Sequence, residues 1–380
     1  MSCIEIKKPI FLDNASTTFM SREAFAIYEK YALEKFYNPS AQYKESNEIS
    51  KDIEKARDFI LNRLGAKQGT IIFTSGATES NNLAIRGSLR EGAWEYVFSE
   101  GEHSSVYNVA KALSNEGKNV KFVALQKNGQ IDYDKLDSLI NDKTRLVSII
   151  YVSNETGAIN NIEKIVKIVK SKNKRALIHV DGVQAFNKIP FSLMNLDIDF
   201  LSFSAHKFHG PKGVGALYVK NIEPLKSIVY GGGQEFGKRS GTENVPGIMA
   251  MVEACKHIDV EKNLEYVKNL KGILIEYFKD KEDVDVLDLD GSPYIVSLSF
   301  KGVNGETLMR ALEDEVVIGT GSACGAKTAG NRVLQALGLN HDAIKSSVRV
   351  SFDYNNSTEE VKLACDIIYE KYKNIYDRVK

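Results

Sequence analysis

The chain has 380 residues, 43% of them hydrophobic and 26% charged, which suits a large globular domain plus a smaller one; only 7 prolines argue against long disordered or polyproline tracts. Fifty Lys and Arg balance fifty Asp and Glu, leaving no global field to gather nucleic acid or an anionic membrane. No run of about 18 apolar residues occurs and Met1 to Leu12 is too short for a signal-peptide core, so no membrane span and a cytoplasmic location are expected.

Short β-rich runs alternate with helical patterns through the first 220 residues or so, the pattern of a mostly parallel sheet flanked by helices. The predicted strands are Ile71 to Thr74, Tyr96 to Phe98, Val120 to Ala124, Leu146 to Val152, Ala176 to Val180, Phe200 to Phe203 and Ala216 to Val219. Together they make an α/β fold with a seven-stranded sheet. Ile162, Ile165, Val166 and Val169 recur at helical spacing with lysines opposite, which predicts a crossover helix. From about Glu261 the pattern changes to a long charged helix, a strand at Ile295 to Phe300, a helix from about Gly305, and strands at Val316 to Ile318 and Val348 to Phe352. The expected division is a large domain over 13–260 and a small α+β domain made of 1–12 and 261–380.

In open α/β sheets ligands sit beyond the carboxyl ends of the strands, so the residues that follow each strand matter most. Ser75-Gly76-Ala77-Thr78 opens a helical pattern, and free N–H groups there suit a phosphate. An ordinary cap by Thr78 or Ser75 explains the same residues. Asp181 and Lys207 follow neighbouring strands 26 residues apart and would face one cleft. That pair suits pyridoxal 5'-phosphate (PLP), because a carboxylate keeps the pyridine nitrogen protonated while a lysine binds the aldehyde. A surface lysine or a helix-capping aspartate would be the ordinary alternative. Lys207, however, follows a nearly apolar run and stands among His206, His209 and Gly210-Pro211-Lys212-Gly213. Cys3, Cys255, Cys324 and Cys365 form no CxxC pair, so reduced thiols and no metal cage are expected.

Five segments occur in one order: Thr74 to Asn82, His179 to Gln184, Ser202 to Gly213, Arg239 to Asn244 and Gly319 to Cys324. As a set they resemble the cysteine desulfurases of the class V aminotransferase family, of PLP fold type I, over nearly the whole chain. The resemblance implies that Lys207 forms the Schiff base, Asp181 pairs with the pyridinium, Gln184 bonds the ring's phenolic oxygen and His103 stacks on the ring and shuttles protons. It implies phosphate ligands at Ala77, Thr78, Ser204 and His206, with Thr242 supplied by the neighbouring subunit of a homodimer. Asn154 and Arg349 match the groups that hold the substrate carboxylate. Cys324, set among glycines, matches the nucleophile that takes sulfur from L-cysteine as a persulfide and passes it on.

The implied activity is conversion of L-cysteine to L-alanine, with sulfur delivered to an iron–sulfur scaffold or a tRNA-thiolation protein. Selenocysteine lysis, another class V reaction and a non-catalytic sulfur carrier are the alternatives. The sequence departs from the family at Gly325 to Asn331, which lacks the usual hydroxyl residues; at Gln234, where many members have His; and at Phe352-Asp353-Tyr354, in place of Leu-Gly-Arg.

Overall fold

The computed structural model describes residues 9–320 and 332–379. Twelve strands are designated in chain order: β1 (Ile10–Phe11), β2 (Thr70–Thr74), β3 (Glu95–Ser99), β4 (Asn119–Val123), β5 (Thr144–Ile150), β6 (Leu177–Asp181), β7 (Phe200–Ser204), β8 (Gly215–Val219), β9 (Val284–Leu287), β10 (Ile295–Phe300), β11 (Val316–Val317) and β12 (Ser347–Ser351). The central sheet has seven strands in the order β2-β8-β7-β6-β5-β3-β4. These are the seven runs predicted from the sequence, with ends shifted by a residue or two. Strand β8 runs antiparallel to both neighbours, and the other pairs are parallel.

Strands β3, β6, β7 and β8 are buried along their whole length. Covering both faces with helices explains why these strands read as apolar runs instead of alternating ones. The predicted crossover helix forms over Ile162–Lys172 and buries Ile162, Ile165 and Val169. Two amphipathic helices that the sequence reading did not pick out, Arg22–Leu33 and Lys44–Arg63, pack beside the helix Val245–Lys256.

A second hydrophobic core lies C-terminal to the first. The sheet β12-β10-β9 packs against the helices Val260–Phe278 and Thr358–Val379, burying Leu274, Phe278, Leu298, Phe300 and Tyr372. Leu12 and Ala15 belong to this core as well, because β1 pairs in parallel with β11, Ile10 opposite Val316. The segment 9–15 thereby runs from the smaller core to the carboxyl edge of the central sheet. No helix among the described residues is long and apolar enough to cross a membrane.

Candidate active site

Strands β2, β3, β5, β6 and β7 all end on one edge of the sheet, above a cavity of about 950 Å³. Asp181 is the last residue of β6 rather than the residue after it, and is 2% exposed. Its Oδ1 accepts the Val183 N–H at 3.1 Å, and its Oδ2 accepts from Asn81 Nδ2 at 2.9 Å. Lys207 ends the short 3-10 turn Ala205–Lys207 that follows β7. Its Nζ donates to the Ala15 and Ser16 carbonyls at 2.8 and 2.6 Å. Carboxylate and ammonium thus line one cavity from adjacent strand ends, as the 26-residue spacing requires.

Gln184 is buried in the turn after β6, where Phe186 stacks on Phe203 with centroids 4.2 Å apart and pins the turn to β7. Its Nε2 donates to Ala15 O at 2.8 Å, sharing that acceptor with Lys207. His103 is the N-cap of the helix Ser104–Asn115 and lines the cavity opposite. Burial depresses its basicity; Asp181 pushes the other way, and Lys207, Arg332 and Arg349 add to the depression.

The turn after β2 forms a cradle. Gly76 is the N-cap of the helix Ala77–Gly87, with no side-chain cap, so neither Ser75 nor Thr78 takes the capping role that the sequence allowed. It holds φ 151°, which a side chain rarely adopts, and a Cβ on the adjoining Gly215 would lie 2.7 Å from the Gly76 Cα. This close packing leaves the Ala77 and Thr78 end of the helix open toward Ser204 and His206, all four lining the cavity. His206 Nδ1 lies 3.1 Å from Thr17 Oγ1, and burial beside Lys207 pushes its pKa down to about 4. Glu79 locks the cradle: it accepts the Ser75 N–H at 2.8 Å and Arg239 Nε at 2.7 Å. Two motifs 160 residues apart are therefore parts of one loop anchor.

Arg349 projects from β12 into the same cavity, 5% exposed. Its Nη1 donates to Asn154 O and its Nη2 to Asp13 Oδ1, both at 2.8 Å, while the buried Nε has no acceptor among the described residues. A Cβ on Gly319 would come within 2.6 Å of Asp13 Oδ1 and 3.0 Å of Arg349 Nη2, so glycine is needed for that pair to form. Asn154 lines the cavity and its Nδ2 donates to Glu155 Oε1 at 3.0 Å.

Of the predicted set, Thr242 alone stands apart among the described residues: it is exposed and does not line the cavity. Cys324 and the departure at Gly325 to Asn331 lie outside the described residues. The departure at Gln234 has a local job, since its Oε1 accepts the Gly241 N–H at 2.9 Å and braces the loop that carries Thr242. Asp353 Oδ2 lies 2.9 Å from His209 Nε2, tying the second core to the turn that follows Lys207.

Sequence reasoning missed two carboxyl groups in the cavity wall, the buried Glu102 and the half-buried Glu155. Burial, reinforced by Asp181, raises the Glu102 carboxyl well above its ordinary value; burial pushes Glu155 up to about 7, against the pull of Arg349. Each adjoins a predicted residue, His103 or Asn154, but nothing in the sequence distinguishes them from surface glutamates.

The class-V aminotransferase family model matches residues 10–363. The cysteine desulfurase IscS of Clostridium botulinum is 33% identical over 378 residues, taking in 96% of this chain and 94% of that protein. The chain belongs to the cysteine desulfurase family. The IscS cysteine desulfurase of Salmonella schwarzengrund is 36% identical over 98% of this chain and 95% of its own length. Among solved structures, a NifS-like protein superposes with a TM-score of 0.90 at 34% identity, over 95% of this chain and 98% of that one. The PLP fold type I architecture of this desulfurase-family chain therefore extends across both cores.

Proposed function

We propose that this enzyme converts L-cysteine to L-alanine and carries the released sulfur as a persulfide, using pyridoxal 5'-phosphate. The observation that carries the reading is the meeting of the Lys207 amine and the buried Asp181 carboxylate in one cavity. The donor set fits the cofactor at every part of its structure. Lys207 offers an amine for the aldehyde, and Asp181 a carboxylate for the ring nitrogen. Gln184 Nε2 is a donor for the phenolic oxygen, and the Gly76-to-Thr78 cradle with Ser204 and His206 suits the phosphate. His103 supplies a flat face for the ring.

When bound, PLP supplies an electron sink conjugated to the Cα of the amino acid. Arg349 and Asn154 hold the substrate carboxylate, for which the guanidinium supplies charged donors. Lys207 Nζ takes the proton from Cα and returns one, since it is the amine at the cavity floor. Cys324 breaks the substrate's C–S bond by taking its sulfur: cysteine and the Cys324 thiol become alanine and the Cys324 persulfide, with atoms and electrons balanced. An acceptor protein, of iron–sulfur or tRNA-thiolation type, then receives the sulfur. Thr242 on its exposed loop reaches the cofactor phosphate of a second copy in a homodimer, in the cytoplasm. The chain is divided at about residue 260, with 1–12 and 261–380 forming the smaller domain.

The test is the visible spectrum of the purified protein, followed by L-cysteine with assays for alanine and sulfide under a reductant. Cofactor absorbance that is lost in Lys207→Ala, and alanine production that is lost in Cys324→Ala, are expected. A coloured protein that makes no alanine from cysteine overturns the desulfurase reading in favour of another class V reaction or a sulfur carrier. A colourless protein that takes up no PLP overturns the cofactor as well.

A further inference from the structure

Asp181 and His103 face the cavity from different elements, and one side chain behind the wall holds both. Asn81, on the helix Ala77–Gly87, is fully buried and does not itself line the cavity. Its Nδ2 donates one hydrogen to Asp181 Oδ2 and the other to Ser105 Oγ, each at 2.9 Å. Ser105 Oγ in turn lies 2.8 Å from His103 Nδ1.

The direction of every bond in this chain can be worked out. Asp181 already accepts the Val183 N–H, and a carboxylate only accepts, so the Asn81 amide must turn its nitrogen toward it. The reverse orientation would set the Asn81 Oδ1 against the carboxylate. That orientation leaves Oδ1 buried without a partner among the described residues, a cost that the amide bears to keep both donors engaged. Ser105 Oγ accepts from Asn81, so its own hydrogen is free to go to His103 Nδ1. The Ser105 backbone N–H, which can only donate, also points at His103 Nδ1 at 3.2 Å. The backbone contact requires a lone pair on Nδ1, and with Nδ1 unprotonated the hydroxyl must be the donor in the other contact.

We infer that Asn81 and Ser105 are positioning residues that hold His103 as the neutral tautomer with its proton on Nε2, so that His103 meets a bound ligand as a hydrogen-bond donor and not as a base. Among the described residues Nε2 has only Ser104 Oγ nearby, at 3.5 Å, the outer limit of a hydrogen bond. The charged groups that face the ring are Asp181 after β6, Lys207 after β7, and Arg332 and Arg349; three of these four are cations that resist a second proton on it. The inference rests on the proposed cofactor site and assigns the tautomer of one of its residues.

The test is ¹⁵N NMR of protein labelled in its histidine rings, as purified and after saturation with pyridoxal phosphate. The His103 signals are identified by their loss in His103→Gln. A protonated Nε2 and an unprotonated Nδ1 are expected near neutral pH. Ser105→Ala keeps the backbone N–H but loses the hydroxyl donor, so it should draw the two shifts partway toward each other, while Ser105→Thr keeps them apart; Asn81→Ser, which cannot span both partners, should move them in the same sense. A proton on Nδ1 in the unmutated protein overturns the inference. So does a Ser105→Ala spectrum indistinguishable from the original. The experiment reads the ring and not turnover, so a protein that made no alanine would leave this result standing, and the converse holds too.

Discussion

Lys188 Nζ donates to Gln184 Oε1 at 3.0 Å, from a position only 4% exposed. An amide that accepts on its oxygen must aim its nitrogen the other way, and Gln184 Nε2 points to Ala15 O beside Lys207 Nζ. A buried ammonium outside the cavity thus sets the donor end of the glutamine that lines it.

Replacing Lys188 with Met tests this relay. Burial pushes the Lys188 pKa down to about 8 from 10.5, so the native state is penalised for the charge below pH 8, and the penalty disappears as pH rises from about 8 to 10.5. Lys188→Met should therefore be as stable as the parent near pH 7, or more stable by up to about 3 kcal/mol less the lost hydrogen bond. Its affinity for PLP should nonetheless fall by about tenfold, or roughly 1.4 kcal/mol. Thermal unfolding and a cofactor titration separate the two effects; unchanged affinity would show that Gln184 orients without Lys188.

Gly215→Ala should disturb the proposed phosphate cradle. The new Cβ would lie 2.7 Å from Phe203 O and from the Gly76 Cα, all backbone that cannot swing aside. A loss of about 1–3 kcal/mol in stability is expected, as for overpacked cores, along with weaker PLP binding. Urea denaturation and the same titration check it. Normal affinity in a destabilised variant would mean that the cradle does not depend on this contact.

Glu155 predicts a pH effect of definite sign. With its pKa raised from 4.5 to about 7, the folded state binds a proton that the unfolded state has released, so stability falls as pH rises from about 4.5 to 7 and is level above that. Glu155→Gln removes the slope. It should be more stable than the parent at pH 8 by up to about 3 kcal/mol, and nearly equal to it at about pH 4. Parallel unfolding curves with no difference at pH 8 would place the carboxylate in a better-solvated setting.

Arg349→Lys keeps the charge but loses the planar fork that spans Asn154 O and Asp13 Oδ1. KM for cysteine should rise about tenfold or more with the cofactor spectrum unaltered. A change in kcat alone would argue against a role in holding the substrate carboxylate.

The large sheet was legible in the sequence because strands buried on both faces must be apolar over their whole length, and β2 to β8 are separated by turn residues. Asp181 and Lys207 were legible as a pair because a parallel sheet places successive strand ends on one edge. The strands β1 and β9 were not legible: β1 is two residues long and exists only through its pairing with Val316 and Val317, far along the chain. Local sequence cannot show a long-range partner. The same holds for the site's supports. Asn81 looks like any helix asparagine, Lys188 like a surface lysine and Glu102 and Glu155 like solvated acids until the fold removes their water. The sequence by itself determined the elements, their apolar faces and which strand ends carry chemical groups, because these follow from local periodicity and residue type. Only the tertiary structure decided which polar groups are desolvated and whom they face, and desolvation and partner geometry set protonation and hydrogen-bond direction.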